Sequence, residues 1–402
     1  MSAAIHRPAP LGGAVVTRGM RALVVLATLG VAAMVYRFAG GLGAATALND
    51  GYPWGLWIAF DVVTGTALGC GGYAVALLVY VLNKGEFHPL VRPALLTSAL
   101  GYSLAAVSIM LDVGRPWLLY RVPVYVTHWN TSSALFEVAL CVMSYVAVLW
   151  IEVSPAFLER WKQGPAGVLK SLGDSLHPVL EKALPFVIAL GLLLPTLHQS
   201  SLGTLMLLSG KKLHPLWSTP LLPLLFLISC LAMGYAVVVF ESTLSSVAFR
   251  RPREGRMLAG LGRAVVPFLW AWAGIRLVDI ALRGKLRFLL AFDWQVLLFL
   301  VEIALIVVPA VLLMSPARRE SPGDLFRAAI LMIVAGTLYR IDTFIVVFHP
   351  GAQYSYFPSL AEIFATVGVV AIEILAYVFF VKRFPILTGA PPAHAAAASQ
   401  VR

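Results

Sequence analysis

The chain is short of charge, of acid, of cysteine and of histidine, and each shortage argues against a class of protein. Of its 402 residues only 12% are charged, against roughly a quarter in an ordinary soluble domain, which speaks against a water-soluble fold. Asp and Glu total 19 against 30 Lys and Arg, a formal charge of +11. No basic patch is interleaved with stacking aromatics, so this excess reads as attraction to anionic lipid and as loop bias, with no nucleic-acid partner. Cys70, Cys141 and Cys230 have no CxxC spacing; they read as small buried apolar residues, and neither an iron–sulfur nor a zinc site is supported. Of the eight histidines, only His198 is expected inside a helix. His6, His88, His128, His177, His214, His349 and His394 are expected in loops or tails. A b-type haem held by two imidazoles then lacks its second ligand, so no haem and no metal are expected in this chain.

What the sequence has in quantity is apolar length, since 60% of residues are hydrophobic. Runs of about 20 residues, enough to span a bilayer, are read at 22–43, 56–82, 91–112, 132–152, 184–207, 221–248, 264–282, 293–314, 326–348 and 361–383. None alternates with the period of two that a membrane barrel needs, so helices are the spanning element. The expected fold is an all-α integral membrane protein of about ten transmembrane helices. Lys and Arg cluster in the loops on one side, from Arg18 and Arg21 through Arg250–Arg256 to Lys382 and Arg383, which puts both termini in the cytoplasm of a bacterial inner membrane. The first apolar run is too long for a signal-peptide core and reads as a retained helix. The expected organisation is a cytoplasmic segment 1–21, helices one to four over 22–152, a cytoplasmic linker 153–183 containing Pro155, Gly164, Pro165 and Gly167, helices five to ten over 184–384, and a disordered tail 385–402 with Pro391, Pro392 and Ala395–Ala398.

Ionisable residues inside hydrocarbon are costly and therefore mark function. Helix three ends in Leu111-Asp112-Val113-Gly114-Arg115, where Asp112 is expected to pair with Arg115. Arg115 on its own also reads as a snorkelling interface residue. Helix five carries Leu194-Pro195-Thr196-Leu197-His198-Gln199-Ser200-Ser201, four consecutive polar groups that suggest a wet cavity. Helix two opens with Asn49-Asp50-Gly51-Tyr52-Pro53-Trp54-Gly55-Leu56-Trp57 and reaches Asp61 one turn below the same membrane face; Trp54 and Trp57 read also as belt aromatics. Asp61, Asp112, Arg115 and His198 are expected to converge on one layer and to exchange protons with a carbonyl or hydroxyl headgroup. Deeper acids, Glu137, Glu241, Glu302 and Glu373, are candidate proton relay stations, and Tyr102 is placed to connect the two layers. Arg276/Asp279 and Arg340/Asp342 read as local charged pairs.

The strings Asn49–Asp61, His88–Leu95 (HPLVRPAL), Gly101–Ser103 with Leu111–Arg115, Leu135–Glu137, Leu194–Ser201, Lys212–Trp217 (KLHPLW) and Tyr354–Pro358 (YSYFP) resemble the NrfD/polysulfide-reductase membrane subunit family, and within it the HybB branch of quinone-linked nickel–iron hydrogenases. The likeness runs from the first helix to Pro385. It implies NrfD-like helical bundles and a quinone-reactive subunit, using ubiquinone or menaquinone, with no haem or metal of its own. It implies as partners a periplasmic four-cluster ferredoxin-like iron–sulfur subunit and the large and small subunits of a nickel–iron hydrogenase. The quinone pocket it implies is the layer of Asp112, Arg115, His198 and Asp61; Trp54 and Asn49 are further candidate quinone-binding residues, and Glu137 and Tyr102 match positions suspected of moving protons. The resemblance implies a core of eight helices and leaves open which two lie outside it. The competing reading is a secondary transporter using the same acids, which lacks an evident inverted repeat.

Overall fold

A computed structural model describes residues 8–164 and 167–388. Ten helices in it are long and apolar enough to cross a membrane: α1 (Arg18–Gly40), α2 (Trp57–Val81), α3 (Gly85–Asp112), α4 (Ala134–Lys162), α5 (Val168–Leu207), α6 (Leu222–Ala248), α7 (Gly255–Leu282), α8 (Trp294–Met314), α9 (Pro322–Val346) and α10 (Leu360–Arg383). Among the described residues there is no strand, only an isolated bridge between Leu213 and Phe348. An even number of crossings puts both ends on one face, called here the terminal face. There the chain ends pair: Leu11 N–H donates to Val381 O and Ala9 N–H to Leu387 O.

Two bundles share a wall. Helices α2 to α5 pack as one, α6 to α9 as the other, and they meet where α6 lies against α2 and α5 and where α9 lies against α2. Accordingly α2 and α6 are the most buried spans, and their small residues allow the approach: a Cβ on Gly234 would sit 2.5 Å from Cys70 O. Helices α1 and α10 pair outside this pair of bundles, against α2 and α3. Their crossing is set by Gly30 and Gly368, since a Cβ on either would fall 2.4 Å from the other's Cα. In lipid, where apolar burial does not drive helices together, such small-residue contacts let backbones touch.

The connections differ from expectation in two places. Positions 153–183 are not a linker: α4 continues to Lys162 and α5 begins at Val168. Pro178, Pro185 and Pro195 all lie inside α5. The helix is 40 residues long, about 60 Å at 1.5 Å per residue, twice the hydrocarbon thickness. The polar composition therefore marks a helical protrusion beyond the bilayer rather than a loop. The tail is ordered as far as described: Ile386 and Leu387 are core residues, and Thr388 Oγ1 donates to Glu254 Oε1 at 3.2 Å. The rest of the expected disordered tail, like residues 1–7, lies outside the described residues.

On the opposite face the connections lace together. Tyr52 Oη donates to Phe348 O at 2.9 Å, Trp54 Nε1 to Phe344 O at 2.9 Å and Asn49 Nδ2 to Ser355 O at 3.0 Å. Glu362, in the first turn of α10, accepts from Tyr356 Oη, Ala47 N–H and Ser359 N–H. Asn49, Trp54 and the Tyr354–Pro358 string are thus structural parts of one lid. Trp57 is not a belt residue; it is 1% exposed and donates to Glu362 O.

Candidate functional site

The first bundle contains a polar column that begins at the opposite face and runs inward. At its mouth, α3 ends on Asp112. Arg37 of α1 caps that end, its guanidinium donating to Leu111 O at 2.5 Å and to Val113 O at 2.7 Å. The expected Asp112–Arg115 pair does not form. Arg115 is exposed past the helix end, where the chain has turned out of helical geometry. Arg37 bonds the backbone on either side of Asp112 instead, and Glu362 of α10 is the acid that acts on it. They belong to α1 and α10, so the outer helix pair closes the side of the mouth.

One step inward, Asp61 is 5% exposed and accepts from Ser108 Oγ of α3 at 3.2 Å and Thr366 Oγ1 of α10 at 3.1 Å. It sits where α2 is wound wide, over Trp57–Thr64, a local distortion that recurs at functional sites. Deeper still, His198 has no exposed surface. Its Nε2 lies 3.1 Å from Thr66 Oγ1, which also accepts from Gln199 Nε2 at 3.1 Å. The His198 ring meets Tyr102 edge-on at 5.7 Å, and Tyr102 Oη is 3.6 Å from Cys70 Sγ. Beneath this lies Arg340, fully buried, donating to Gln199 Oε1, Ser229 Oγ, Val63 O and Phe226 O. Among the described residues no carboxylate pairs with it; backbone and side-chain dipoles carry the charge.

The expected single layer is therefore a column. Tyr102, at the level of His198, precedes Asp112 by ten residues of one continuous helix, about 15 Å of axis. One ring cannot touch both. The sequence signal was present, since His198 lies well before the end of α5 at Leu207, but its depth was read from the loop. Glu137 is corrected in the other direction: it stands in the first turn of α4, at the opposite face, not deep in the bundle. His198 is also not alone in a helix, because His177 lies on α5 beside Glu181 and His88 lies in the first turns of α3. His198 is, however, the fully buried one among the described residues.

Neither charged pair read from neighbouring positions forms: Arg276 has a long-range carboxylate partner instead, and Arg340 has none among the described residues. Arg276 pairs with Glu302 of α8 at 2.9 Å, both nearly sealed from solvent, and four rings surround its guanidinium at 4.8–5.4 Å: Trp217, Trp272, Phe299 and Tyr339. Asp342 faces Glu302 while Arg340 turns to the other bundle, as residues two apart on a helix must.

Three proton-active atoms in the column are buried and have no partner: Asp112 Oδ1, Asp61 Oδ1 and His198 Nδ1. Buried polar groups are nearly always satisfied; further unpartnered atoms surround Arg276 and Asp342 in the second bundle, and what sets these three apart is that they come from three helices and line one polar column that opens at the opposite face. Thr66, Gln199, Ser108, Thr366 and Arg37 escaped the sequence reading as site residues; only the polar run after His198 hinted at Gln199.

Comparison with known proteins agrees with this architecture. The model of the family described as "Polysulphide reductase, NrfD" matches residues 44–354. That stretch contains α2 to α9, which identifies α1 and α10 as the two helices outside the shared core. The chain is 40% identical over 389 residues, 95% of each chain, to the "Probable Ni/Fe-hydrogenase 2 b-type cytochrome subunit" of Escherichia coli (strain K12). It is 29% identical over 379 residues, 87% of this chain and 86% of the relative, to the "Menaquinone reductase, integral membrane subunit" of Nitratidesulfovibrio vulgaris. It is 23% identical over 243 residues, 55% of this chain and 71% of the relative, to "Protein NrfD" of Escherichia coli (strain K12). The first of these names overturns the expectation of a chain without haem, since the relative is named a b-type cytochrome. The expectation rested on counting imidazoles, and haem iron also accepts methionine, cysteine or tyrosine. Among the described residues one fully buried imidazole, with Nδ1 unpartnered, is available to an iron, that of His198. The chain is a multi-pass integral membrane protein, and it belongs to the NrfD family.

Proposed function

We propose that this chain is the quinone-reactive membrane subunit of a nickel–iron hydrogenase complex in the bacterial inner membrane. It would take electrons from an iron–sulfur partner subunit and pass them to ubiquinone or menaquinone, with the opposite face turned to the periplasm. The observation that carries this reading is the set of orphan atoms on Asp112, Asp61 and His198. Reducing a quinone takes two electrons and two protons, so its oxygens need proton donors within about 2.6–3.2 Å. Asp112 and Asp61 offer such groups at the mouth and His198 offers one at the inner end, with Tyr102, Thr66 and Gln199 holding the imidazole. The headgroup docks in the mouth against Asp112 and Asp61, and His198 exchanges protons through the column rather than gripping the same ring. Glu137 flanks the mouth as a proton-exchanging group. Arg115 and the connection after it, with Trp117 and Val124 exposed, form the surface for the iron–sulfur subunit. The names of the relatives support the redox reading over transport. A b-type haem, when bound, would supply one-electron storage; among the described residues His198 is the fully buried imidazole that would hold it, and would then not exchange protons.

The reading is tested by measuring quinone bound to the purified complex. Asp112→Asn and Asp61→Asn are expected to raise the Kd for an added quinone about tenfold or more. Unchanged binding in both would place the headgroup elsewhere.

A further inference from the structure

From Asp61 of the column, a second line of acids runs toward the terminal face along the seam between α3 and α10. These helices are antiparallel, and their facing positions keep matching intervals. On α3 they are Ser108, Gly101 and Thr97; on α10 they are Thr366, Glu373 and Tyr377. Both sets step by seven and then four residues, so each keeps one helix face, with rungs about 10 Å and 6 Å apart along the axis.

Each rung holds one carboxyl group. Ser108 and Thr366 both donate to Asp61 Oδ2. At Gly101 the missing side chain makes room for Glu373, whose Oε1 would lie 3.3 Å from a Cβ there. Thr97 Oγ1 donates to Glu241 Oε2 at 2.5 Å, and Tyr377 lines the same small cavity as that carboxyl. The shared register puts Glu373 between Asp61 and Glu241 along the seam, and among the described residues none of the three acids forms an ion pair. Asp61 Oδ1 and Glu241 Oε1 are buried and unpartnered. Beyond Glu241, a cavity of about 10 Å³ touches Pro93, Glu241, Arg251 and Glu254, about the space of one water. Glu254 there accepts from Ser242 and Thr388 and lies 3.3 Å from Arg251, at the terminal face where α7 begins.

We propose that Glu254, Glu241, Glu373 and Asp61 form a proton path from the terminal face to the quinone site. This rests on the quinone reading above and deepens it. When the headgroup takes a proton from Asp61, the resulting carboxylate takes one from Glu373, which is reloaded by Glu241 through the water-sized cavity from the terminal side. Each step moves one proton from one carboxyl group to the next by way of bridging water, since the rungs stand farther apart than a hydrogen bond; the electrons reach the quinone separately from the iron–sulfur partner. The path depends on α10, which lies outside the stretch shared with the family, and it uses neither Glu137 nor Tyr102.

The test uses the whole hydrogenase complex in membrane vesicles with the terminal face outward. Three quantities are followed: hydrogen-driven quinone reduction, hydrogen-driven reduction of a soluble dye, and proton uptake from the outer medium. Glu373→Gln and Glu241→Gln are expected to cut proton uptake per quinone reduced at least tenfold while dye reduction holds. Glu373→Asp is expected to keep more uptake than Glu373→Gln, because it retains the acid; a packing role would give the reverse order, since glutamine preserves the shape. Wild-type uptake in both glutamine variants, or the reverse order at Glu373, would overturn the path. Should Asp112→Asn leave quinone reduction intact while Glu373→Gln abolishes uptake, the quinone site fails and the path stands; the opposite pattern fails the path alone.

Discussion

The Arg276–Glu302 pair allows a stability prediction with a magnitude. The two groups lie 2.9 Å apart with side chains 3% and 1% exposed, Trp217 Nε1 donates to Glu302 Oε1 at 2.8 Å, and Asp342 faces the same carboxylate. Arg276→Met removes the cation and leaves two carboxyl groups facing each other. Breaking a buried pair by deleting one partner costs about 3–5 kcal/mol, whereas replacing both partners with apolar groups is often close to neutral. The double variant Arg276→Met/Glu302→Met should therefore be more stable than Arg276→Met alone. With an unfolding entropy of about 2.1 cal/mol/K per residue, 402 residues give about 0.8 kcal/mol/K, so the single substitution should lower Tm by about 4–6 °C. The assay is thermal unfolding in detergent followed by tryptophan fluorescence, scan rate fixed. A shift under about 1 °C for Arg276→Met, or a double variant less stable than Arg276→Met, would refute the reasoning.

Other expectations follow from the same contacts. Gly30→Leu should detach α1 from α10, because its Cβ meets Gly368 Cα at 2.4 Å; protease sensitivity near the N-terminus should rise while α2 to α9 remain protected. Burial holds the His214 imidazole, outside the spans, below its usual value of 6.5, and its Nδ1 accepts from Leu216 N–H. A histidine whose folded pKa is depressed contributes its full stability above the unfolded value and loses it as pH falls through about 6.5 toward the folded one. Tm should therefore drop between pH 7 and pH 5, and less so in His214→Gln. Glu362→Ala should loosen the lid, because Glu362 accepts from Tyr356, Ala47 and Ser359 at once. At about 1 kcal/mol per bond, the expected cost is roughly 2–3 kcal/mol, read as faster hydrogen exchange over Ala47–Trp57.

Spans were legible because hydrocarbon admits only long apolar helices, and ten were read and ten are present. Ends were less legible. A charged, proline-containing stretch such as 168–183 reads as loop, yet it lies within α5, which continues past the hydrocarbon. Asp61, Asp112 and His198 could be picked out because each is an ionisable residue in an apolar run. Their spacing could not, because depth depends on where each helix meets the membrane. Pairings were misread wherever the partner is distant in sequence: Arg276 with Glu302, and Arg37 capping α3, join positions that nothing local connects. The Glu373 rung was invisible for the same reason, since only the packing of α10 on α3 aligns it with Gly101.

The central claim is that the first bundle reduces quinone through its column of orphan acids and imidazole. The most direct measurement compares hydrogen-driven quinone reduction with hydrogen-driven dye reduction in Asp112→Asn and His198→Ala complexes. Loss of a positioned proton donor typically costs 10²–10⁴-fold in rate. Quinone reduction is predicted to fall by about a hundredfold in each variant while dye reduction stays at the wild-type rate; quinone reduction at the wild-type rate in both variants would contradict the account.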